Sequence, residues 1–547
     1  MDLVRRQSYY RWLSSLFLIG AALWMVVVTS RPSRPSPAAA MPVTFANAAS
    51  LATSLNDRFG FDFVNGVTEA SARAGSAETW YQRARAAGAG WTRWPMYWHR
   101  IETERGRYDY SSSYPVDRVV ELDVRFGLRT NAILLGTPSW GGIAGQVGPV
   151  YFDVGRKHPP KSGIQVLATG SPAAVPQGLD RPVFLADGSI NPENVWARFV
   201  YTTVNRYKPG GELARILGWG PGQGITHWEM WNEPDLLWNI DGRWVGAFWL
   251  GTPEDYYRLL KAGYLAAKAA DPNAVVLFGG LSYWSQKDFL PRVLDRLVAD
   301  PEARSHNYFF DVLPLHFYVN AEDVYDKPQW ARGEMQKRGF NKPIWLNETN
   351  APIWGDSTTQ PFGPWLANLD EQASFVIHAH AYAIAAGVER AFVFQLYEDG
   401  EPTYGIIRNN DTPRPAYMAY QVAATYFAGA QLPSRSRAGQ IEVISFYSPI
   451  HGKVTVVWNL STAPVAASLP ASAPSATLVD RYGGTEVVQA SGGTYSLVLP
   501  AGSQYSSADI VWRYGGAPYI LLERVSTNQL PYRVILPGVF KGQVEGR

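Results

Sequence analysis

Two glutamates end two similar apolar segments of this chain. Glu233 ends the segment HWEMWNE, and Glu348 ends the segment PIWLNE. Each glutamate directly follows an asparagine, Asn232 or Asn347, and each segment is typical of a buried strand. In parallel α/β barrels the active site lies at the C-terminal ends of the strands, so a carboxylate there is well placed for chemistry. A pair of such carboxylates is the minimum that an enzyme needs to cleave a glycosidic bond.

That reaction needs the two carboxyl groups in opposite protonation states. One must be protonated to release the leaving oxygen, and the other must be ionised to attack or stabilise the anomeric carbon. Two carboxylates held close together push their pKa values apart, so one pocket can hold both states near neutral pH. A lone glutamate is usually a solvated surface charge, but the neighbouring Trp228, Trp231 and Trp345 favour a partly buried site here.

The composition excludes several classes of function. The chain has 547 residues, with 49 Lys and Arg against 47 Asp and Glu, and this even balance predicts no nucleic-acid partner. It has no cysteine, which excludes disulfides, thiolate zinc sites and cysteine nucleophiles. His378 and His380 lie two residues apart in a predicted apolar helix and cannot share one helical face. We therefore expect no metal and no cofactor.

The amino terminus is typical of an export signal. Arg5, Arg6 and Arg11 precede the apolar stretch 12–28, and a segment rich in Pro, Ser and Ala follows. This order predicts a signal peptide or an uncleaved signal anchor over 1–30, and then a Pro/Ala/Ser-rich linker over 31–55. If it is an anchor, the preceding basic residues place its amino end inside. Both forms predict an extracytoplasmic protein, secreted or anchored, whose membrane contact is confined to this segment.

Short apolar runs alternate with amphipathic helical stretches from about residue 61 to residue 396. The eight runs are 61–67, 91–97, 129–135, 226–232, 275–279, 311–318, 343–348 and 391–396. This alternation predicts an α/β fold, a (β/α)8 TIM barrel over 56–432. A doubly wound sheet is the alternative, but no glycine-rich nucleotide loop follows the first run. An insertion at 141–190, rich in Gly and Pro, would either wall the cleft or be a surface excursion.

The pattern changes after the barrel. Short alternating strands with Gly-Gly turns at 483–484 and 492–493 predict a small antiparallel β-sandwich over 433–515. The structure of the tail, 516–547, stays open at this point.

The motif WNEP at 231–234, together with a glutamate after the seventh run, resembles glycoside hydrolase clan A. The chain is most similar to the family 39, β-xylosidase-like group, over about residues 60–510, and the match is most specific at WNEP. The resemblance implies Glu233 as general acid/base and Glu348 as nucleophile. It also implies that Asn232 hydrogen-bonds the 2-hydroxyl group of the sugar.

Three further positions match this resemblance. Arg93, in the second run, is similar to the clan arginine that supports the nucleophile, and its charge would keep Glu348 ionised. His316 and Tyr318 match a pair on the sixth strand, which implies that Tyr318 bonds Glu348 and His316 lines the subsite. An ordinary salt bridge for Arg93 and a structural role for His316 are the alternatives.

Aromatic residues collect after the predicted strands, at one end of the barrel, where flat rings suit the faces of sugars. The candidates for substrate contact are Trp98, Trp140, Trp354 and Tyr397. On the eighth run the chain reads FQLY at 394–397, where many clan relatives have a tryptophan, so Gln395 or Tyr397 would take its place.

Together these features predict an exported retaining glycosidase that acts on an oligosaccharide or polysaccharide. The alternative is a catalytically silent carbohydrate-binding or cell-wall-associated protein that keeps the barrel and the aromatic cleft. The presence of both glutamates and Arg93 weighs against it. The sugar, its linkage and the oligomeric state stay open at this point.

Overall fold

The computed structural model describes residues 57–65, 75–112, 114–143, 170–240, 243–353, 356, 366–398, 404–507 and 510–524. The predicted export signal and linker lie outside these residues, as does much of the predicted insertion. In the part of the chain that is described, no helix is long and apolar enough to span a membrane.

Eight parallel strands, each followed by a helix, form the larger part of the molecule, which confirms the predicted barrel. The strands are β1 (Phe59–Asp62), β2 (Trp91–Tyr97), β3 (Arg129–Leu135), β4 (His227–Met230), β5 (Val275–Leu277), β6 (Leu313–Tyr318), β7 (Ile344–Asn350) and β8 (Ala391–Val393). The main helices that follow them are α1 (Ala77–Ala87), α2 (Val116–Arg125), α3 (Val195–Tyr207), α4 (Pro253–Ala270), α5 (Phe289–Ala299), α6 (Asp323–Gln336), α7 (Leu369–Ala385) and α8 (Pro415–Tyr426), and two short helices cover Trp98–Ile101 and Glu212–Ile216.

The sheet closes on itself. Its hydrogen-bonded order is β5-β4-β3-β2-β1-β8-β7-β6, and parallel bridges Leu277–Val312 and Leu281–Leu315 join the two outer strands. The segment after each strand therefore lies at one end of the barrel, where both glutamates are found.

Local signals begin the helices. Thr252 and Asp255 form a capping box at the start of α4, with Pro253 in the first turn. Asn368 and Glu371 form a second capping box at the start of α7. Both starts follow from local sequence, because these residue types satisfy the free N–H groups of a first turn.

The second domain is antiparallel. Its strands are β9 (Gln431–Ala438), β10 (Ile441–Ser448), β11 (Gly452–Asn459), β12 (Val465–Pro470), β13 (Ser475–Val479), β14 (Thr485–Gln489), β15 (Thr494–Leu499), β16 (Ser503–Ser507), β17 (Ile510–Tyr514) and β18 (Tyr519–Glu523). Six of them form one sheet in the order β9-β10-β11-β18-β13-β14, and β12 pairs with β15. Strand β18 lies inside this sheet, in the segment beyond residue 515 whose structure the sequence left open.

The two domains pack on helix α7. Trp458 of β11 stacks on His378 at 4.5 Å between ring centroids, and the hydroxyl of Tyr505 donates to Glu371 at 2.7 Å. His378 is buried at this contact, whereas His380 is buried against Phe59 and Tyr420 on the barrel side.

Candidate active site

The backbone turns sharply where Glu233 leaves the barrel. Strand β4 ends at Met230, and Trp231 and Glu233 have φ angles of 81° and 39°, in the left-handed region that non-glycine residues rarely adopt. The N–H of Glu233 donates to the carbonyl of Gly280 at 2.9 Å, which ties this turn to the segment after β5. Strained backbone of this kind is found where the surrounding structure holds it, commonly at functional sites.

Glu348 reaches the same space through a strand irregularity. In a regular strand, neighbouring side chains point to opposite faces, yet Asn347 and Glu348 both contact residues inside the barrel. The pairing of β6 with β7 shifts between Leu315 and His316, so that Leu315 pairs with Leu346 but His316 pairs with Glu348. The extra residue in β7 turns both polar side chains inward.

His316 lies between the two glutamates. Its Nδ1 is 2.8 Å from Oε1 of Glu233 and 3.5 Å from Oε2 of Glu348. The nearest functional atoms of these three residues lie within 4.8 Å of one another. The glutamates are nearly buried, with 9% and 7% of their surface exposed.

Arg93 lies beneath the two glutamates and hydrogen-bonds to both of the segments that carry them. Its Nη1 donates to Oε1 of Glu348 at 2.5 Å, and its Nη2 donates to Oδ1 of Asn232 at 2.7 Å. Its Nε and Nη2 also form two 2.8 Å bonds to the carboxylate of Glu229, and Nη1 lies 3.0 Å from Asp62. A guanidinium has five N–H donors in a planar fork, which suits it to hold several carboxylates at once.

The sequence analysis missed Glu229 and Asp62. Glu229 is fully buried and also accepts bonds from Asn131 at 3.1 Å and Asn347 at 2.8 Å. A charged side chain inside an apolar strand needs a buried partner of opposite charge. The position of Glu229 in the sequence was therefore a signal that it pairs with a buried cation such as Arg93. Asp62 lies at the end of β1 with no comparable signal in its sequence context.

The two glutamates have opposite pKa shifts. Burial raises the pKa of Glu233 above its ordinary value, although the hydrogen bond and charge of His316 oppose this. Burial also acts on Glu348, but the charges of His316 and Arg93 and the hydrogen bonds from Tyr318 and Arg93 outweigh it, so the pKa of Glu348 is lowered. Glu233 is therefore the carboxyl group suited to carry a proton, and Glu348 is the one suited to stay ionised.

The remaining polar candidates contact this pair directly or through Arg93. The hydroxyl of Tyr318 donates to Oε2 of Glu348. Because an arginine only donates hydrogen bonds, the amide oxygen of Asn232 must face Arg93, and its Nδ2 group is left for another acceptor.

A buried carboxylate braces the turn that carries Glu233. Asp235 accepts from the backbone N–H groups of Ser282 at 3.0 Å and Tyr283 at 2.6 Å. Burial raises the pKa of Asp235 to about 6, against the effect of these bonds. Asp235 is a positioning residue that the sequence analysis also missed.

Two of the aromatic predictions are wrong for direct sugar contact, since both side chains are fully buried. Trp98 stacks on Phe199 at 5.1 Å and donates from Nε1 to Glu102 at 2.6 Å. Tyr397 donates from its hydroxyl to Asp411 at 2.6 Å. Both rings pack against neighbouring segments of the barrel domain, and their polar groups are hydrogen-bonded.

Two other aromatic candidates differ from these. Trp140 is half-buried and keeps an accessible part of its ring at the same end of the barrel. Trp354 lies outside the described residues. Gln395, the other candidate on the eighth run, is nearly buried.

Glu233, His316 and Glu348 are also side chains that can hold a divalent metal. However, Arg93 lies 2.5 Å from Glu348 and 3.4 Å from Nε2 of His316, so a fixed positive charge faces the same atoms. This charge disfavours a second cation at the site. The absence of a metal requirement stays a prediction.

Comparisons with known proteins point to one group of folds. No family model matches the sequence, and no curated protein matches it.

In structure, the chain is similar to a family 39 glycoside hydrolase from the gut symbiont Bacteroides cellulosilyticus WH2, with a TM-score of 0.56 and 16% identity over 86% of this chain and 81% of that one. It is similar to the catalytic domain of family 30 xylanase C from Talaromyces cellulolyticus, with a TM-score of 0.53 and 13% identity over 85% and 97% of the two chains. A family 39 β-xylosidase from Caulobacter crescentus matches with a TM-score of 0.50 and 14% identity over 86% and 96%. The protein therefore shares its fold with glycoside hydrolases of families 39 and 30.

Proposed function

We propose that the protein is a retaining glycoside hydrolase that cleaves O-glycosidic bonds by double displacement. One observation carries the proposal: His316 bridges two carboxyl groups whose pKa values shift in opposite directions and whose nearest oxygens lie within 4.8 Å. Retaining enzymes keep the two carboxyl groups about 5–5.5 Å apart, whereas inverting enzymes leave about 6.5–9.5 Å for a water molecule.

In the first step, an ionised oxygen of Glu348 attacks the anomeric carbon while Glu233 gives its proton to the leaving oxygen. The bond to the leaving group breaks, and a glycosyl ester of Glu348 forms. In the second step, Glu233 takes a proton from water, the water oxygen attacks the anomeric carbon, and the ester bond breaks. Glu348 returns as a carboxylate and Glu233 returns protonated, so protons and charges balance.

His316 determines which oxygen of Glu233 carries the proton. Its Nδ1 carries a proton in both states of the ring: in the imidazolium, whose charge lowers the pKa of Glu348, both nitrogens are protonated, and in the neutral ring Nε2 accepts from Nη2 of Arg93 at 3.4 Å. Nδ1 then donates to Oε1 of Glu233 at 2.8 Å. The acidic proton of Glu233 is therefore on Oε2, free to reach a glycosidic oxygen.

The substrate class follows from the chemistry of the site and from the similar structures. Asn232 offers an amide N–H to the sugar 2-hydroxyl. Among the similar structures, one is described as a β-xylosidase and another as a xylanase, so β-xylosides are the first substrates to test.

The experiment is an aryl β-glycoside panel with the intact chain, Glu348→Gly and Glu233→Ala. We expect both variants to lose at least about a hundredfold in turnover, with Glu302→Ala, a solvent-exposed glutamate, as the matched control. Azide should rescue Glu348→Gly with a glycosyl azide of inverted configuration, and Glu233→Ala with one of retained configuration. Unchanged turnover in both glutamate variants would contradict the proposal.

The same panel distinguishes the proposed glycosidase from the catalytically silent alternative. A protein that binds oligosaccharides by calorimetry but turns over no aryl glycoside would be a carbohydrate-binding barrel. The arrangement of Glu233, Glu348 and Arg93 favours catalysis, because a binding protein has no need of two carboxyl groups with opposed pKa shifts.

We also propose that the protein acts outside the cytoplasm. The basic residues before the apolar stretch 12–28 support this. Fractionation of cells that express the full chain, compared with a variant lacking residues 1–30, tests it. We expect the full chain in the exported or membrane fraction, and an equal cytoplasmic pool of both proteins would contradict it.

A further inference from the structure

A cavity of about 200 Å³ lies over the β2 and β3 side of the barrel, at the end that carries the glutamates. Its walls come from the segments after β2 and β3 and from the start of α3. The side chains that line it include Arg105, Trp140, Gln177, Asp180, Arg181 and Glu193. None of Arg93, Asn232, Glu233, His316, Tyr318 and Glu348 lines it, so the proposed mechanism uses none of the lining residues.

Trp140 is held rigidly at this cavity. Its Nε1 donates to the carbonyl of Glu102 at 2.9 Å, and the guanidinium of Arg198 lies 5.8 Å from its ring centroid. Trp98 meets it edge to face at 5.8 Å. These contacts anchor one side of the ring, while the half-buried remainder lines the cavity.

A continuous line of tryptophans connects this ring to the catalytic motif. Trp140 contacts Trp98, Trp98 contacts Trp196 of α3, and Trp196 contacts Trp231, with centroid distances of 5.8, 5.7 and 5.8 Å. Trp231 is two residues before Glu233. The cavity and the catalytic pair are therefore joined by packed side chains, and none of Glu233, His316 and Glu348 lines the cavity.

The chemistry of the lining is that of a sugar site. An aromatic face suits the C–H face of a pyranose, and planar amide, carboxylate and guanidinium groups bond pairs of hydroxyls. Arg105 and Arg181 are matched in number by Asp180 and Glu193, and Arg105 pairs with Glu193 at 2.8 Å. The formal charge of the four is zero, which favours a neutral sugar over a uronic acid. The volume is below the roughly 300–1,000 Å³ of pockets for larger ligands, which suits a single sugar unit.

The shape of the cavity depends on Gly178. Its φ is +76°, and a Cβ at this position would lie 1.9 Å from the carbonyl oxygen of Glu193. Only glycine allows the loop that carries Gln177 and Asp180 to approach the start of α3 so closely.

We propose that this cavity is a distal subsite for a neutral sugar unit of an oligosaccharide that extends from the catalytic pair. The inference rests on the proposed function for its substrate class. It adds that the natural substrate is longer than a disaccharide, and that Trp140 stacks on a unit remote from the bond that is cleaved.

Calorimetry with the full-length Glu348→Gln protein tests the proposal. The probes are neutral β-1,4-linked xylo-, cello- and manno-oligosaccharides, from disaccharide to hexasaccharide, with oligogalacturonides as the charged comparison. We expect affinity to rise with chain length for at least one neutral series. In that series Trp140→Ala should lose about tenfold for the longest probe and far less for the disaccharide, and Trp140→Phe should restore part of the loss.

Two further variants complete the test. Trp219→Ala removes another half-buried tryptophan, located before β4 at the opposite end of the barrel, and should leave the length dependence intact. Asp180→Ala removes an exposed side chain of the lining, so it should fold and should weaken binding of the long probes even if Trp140→Ala does not fold.

The outcomes separate this proposal from the proposed function. Equal affinity of Trp140→Ala and its parent for the longest probe, a preference for oligogalacturonides, or no binding of any probe would overturn the subsite. If the unmutated chain turns over no aryl glycoside, that result would instead contradict the proposed function. Length-dependent binding through Trp140 would stand in that case, as the property of a binding protein.

Discussion

Arg93 and Glu229 form a two-bond ion pair beneath the candidate active site, with both bonds at 2.8 Å and both side chains almost wholly buried. The pair links β2 to β4, and Arg93 extends it to Glu348 on β7. A buried charge that loses its partner is costly, because neither water nor another ion replaces the lost bonds. The position of Glu348 therefore depends on an ion pair one layer below it.

Glu229→Ala should lower the free energy of unfolding by about 3–5 kcal/mol, since it leaves Arg93 with fewer buried partners. Urea denaturation followed by tryptophan fluorescence measures this. The control is Glu104→Ala, which breaks an exposed 3.5 Å contact with Arg107 and should have no measurable effect. Equal stability of the two variants would show that the buried pair contributes no more than a surface pair.

Removal of the Tyr318 hydroxyl should shift the acid limb of the pH–rate profile. The proposed mechanism requires ionised Glu348 and protonated Glu233, so kcat/KM should fall as the pH drops through the pKa of Glu348 and as it rises through that of Glu233. Burial raises the pKa of Glu348, and His316, Arg93 and Tyr318 together lower it below its ordinary value. Tyr318→Phe removes one of these stabilising bonds, so the acid limb should move to higher pH by roughly 1–2 units.

The control for this measurement is Tyr426→Phe, at the end of α8 and outside the site, which should leave both limbs in place. A shift of the alkaline limb alone would assign Tyr318 to Glu233 instead of Glu348.

Gly280→Ala should impair the acid/base without touching either glutamate. A Cβ at residue 280 would lie 2.0 Å from Nε2 of His316, so the imidazole would have to move and its bond to Glu233 would be lost. A displacement of this size at a reacting group lowers the reaction rate about a hundredfold, and we expect a fall of that order in kcat. Aryl β-glycoside kinetics measure the effect.

The matched control is Gly333→Ala on α6, where an added Cβ meets nothing within 4 Å. It should raise stability by about 0.5–1 kcal/mol, because alanine is the better helix former, and leave kcat unchanged. Wild-type kcat in Gly280→Ala would contradict the placement of His316.

Asp235→Ala should reduce kcat more than it raises KM. The carboxylate accepts two backbone N–H bonds from the segment after β5 and thereby holds the left-handed turn that carries Glu233. Its loss leaves both N–H groups without that acceptor and frees the turn. Asp235→Asn keeps an acceptor oxygen and should recover part of the rate, whereas a purely structural role would lower stability without this recovery in kcat.

Much of the fold was predictable because its signals are local. The alternation of apolar runs and helical stretches predicts the barrel, and Thr252 and Asn368 mark helix starts through bonds to residues three positions away. Glu233 and Glu348 were identifiable because each ends a strand-like segment, and in a closed parallel barrel all strand ends meet at one face.

Other features depend on contacts between residues far apart in the chain. Trp98 and Tyr397 have the same residue type and strand-end position as a sugar platform, but partners on α3 and after β8 bury them. Strand β18 joins its sheet only because β11 and β13 are already in place on either side.

The sequence by itself identified the two glutamates, because residue type and local period place each at the end of a strand-like segment, and the resemblance to clan A added Arg93, His316 and Tyr318. Only the tertiary structure decided how they act on each other. The irregularity in β7 turns Asn347 and Glu348 to the same side, and His316 from β6 then lies against both glutamates. The pKa values separate because burial and charge act over a few ångströms in space, between residues that are 83 and 255 positions apart in the chain.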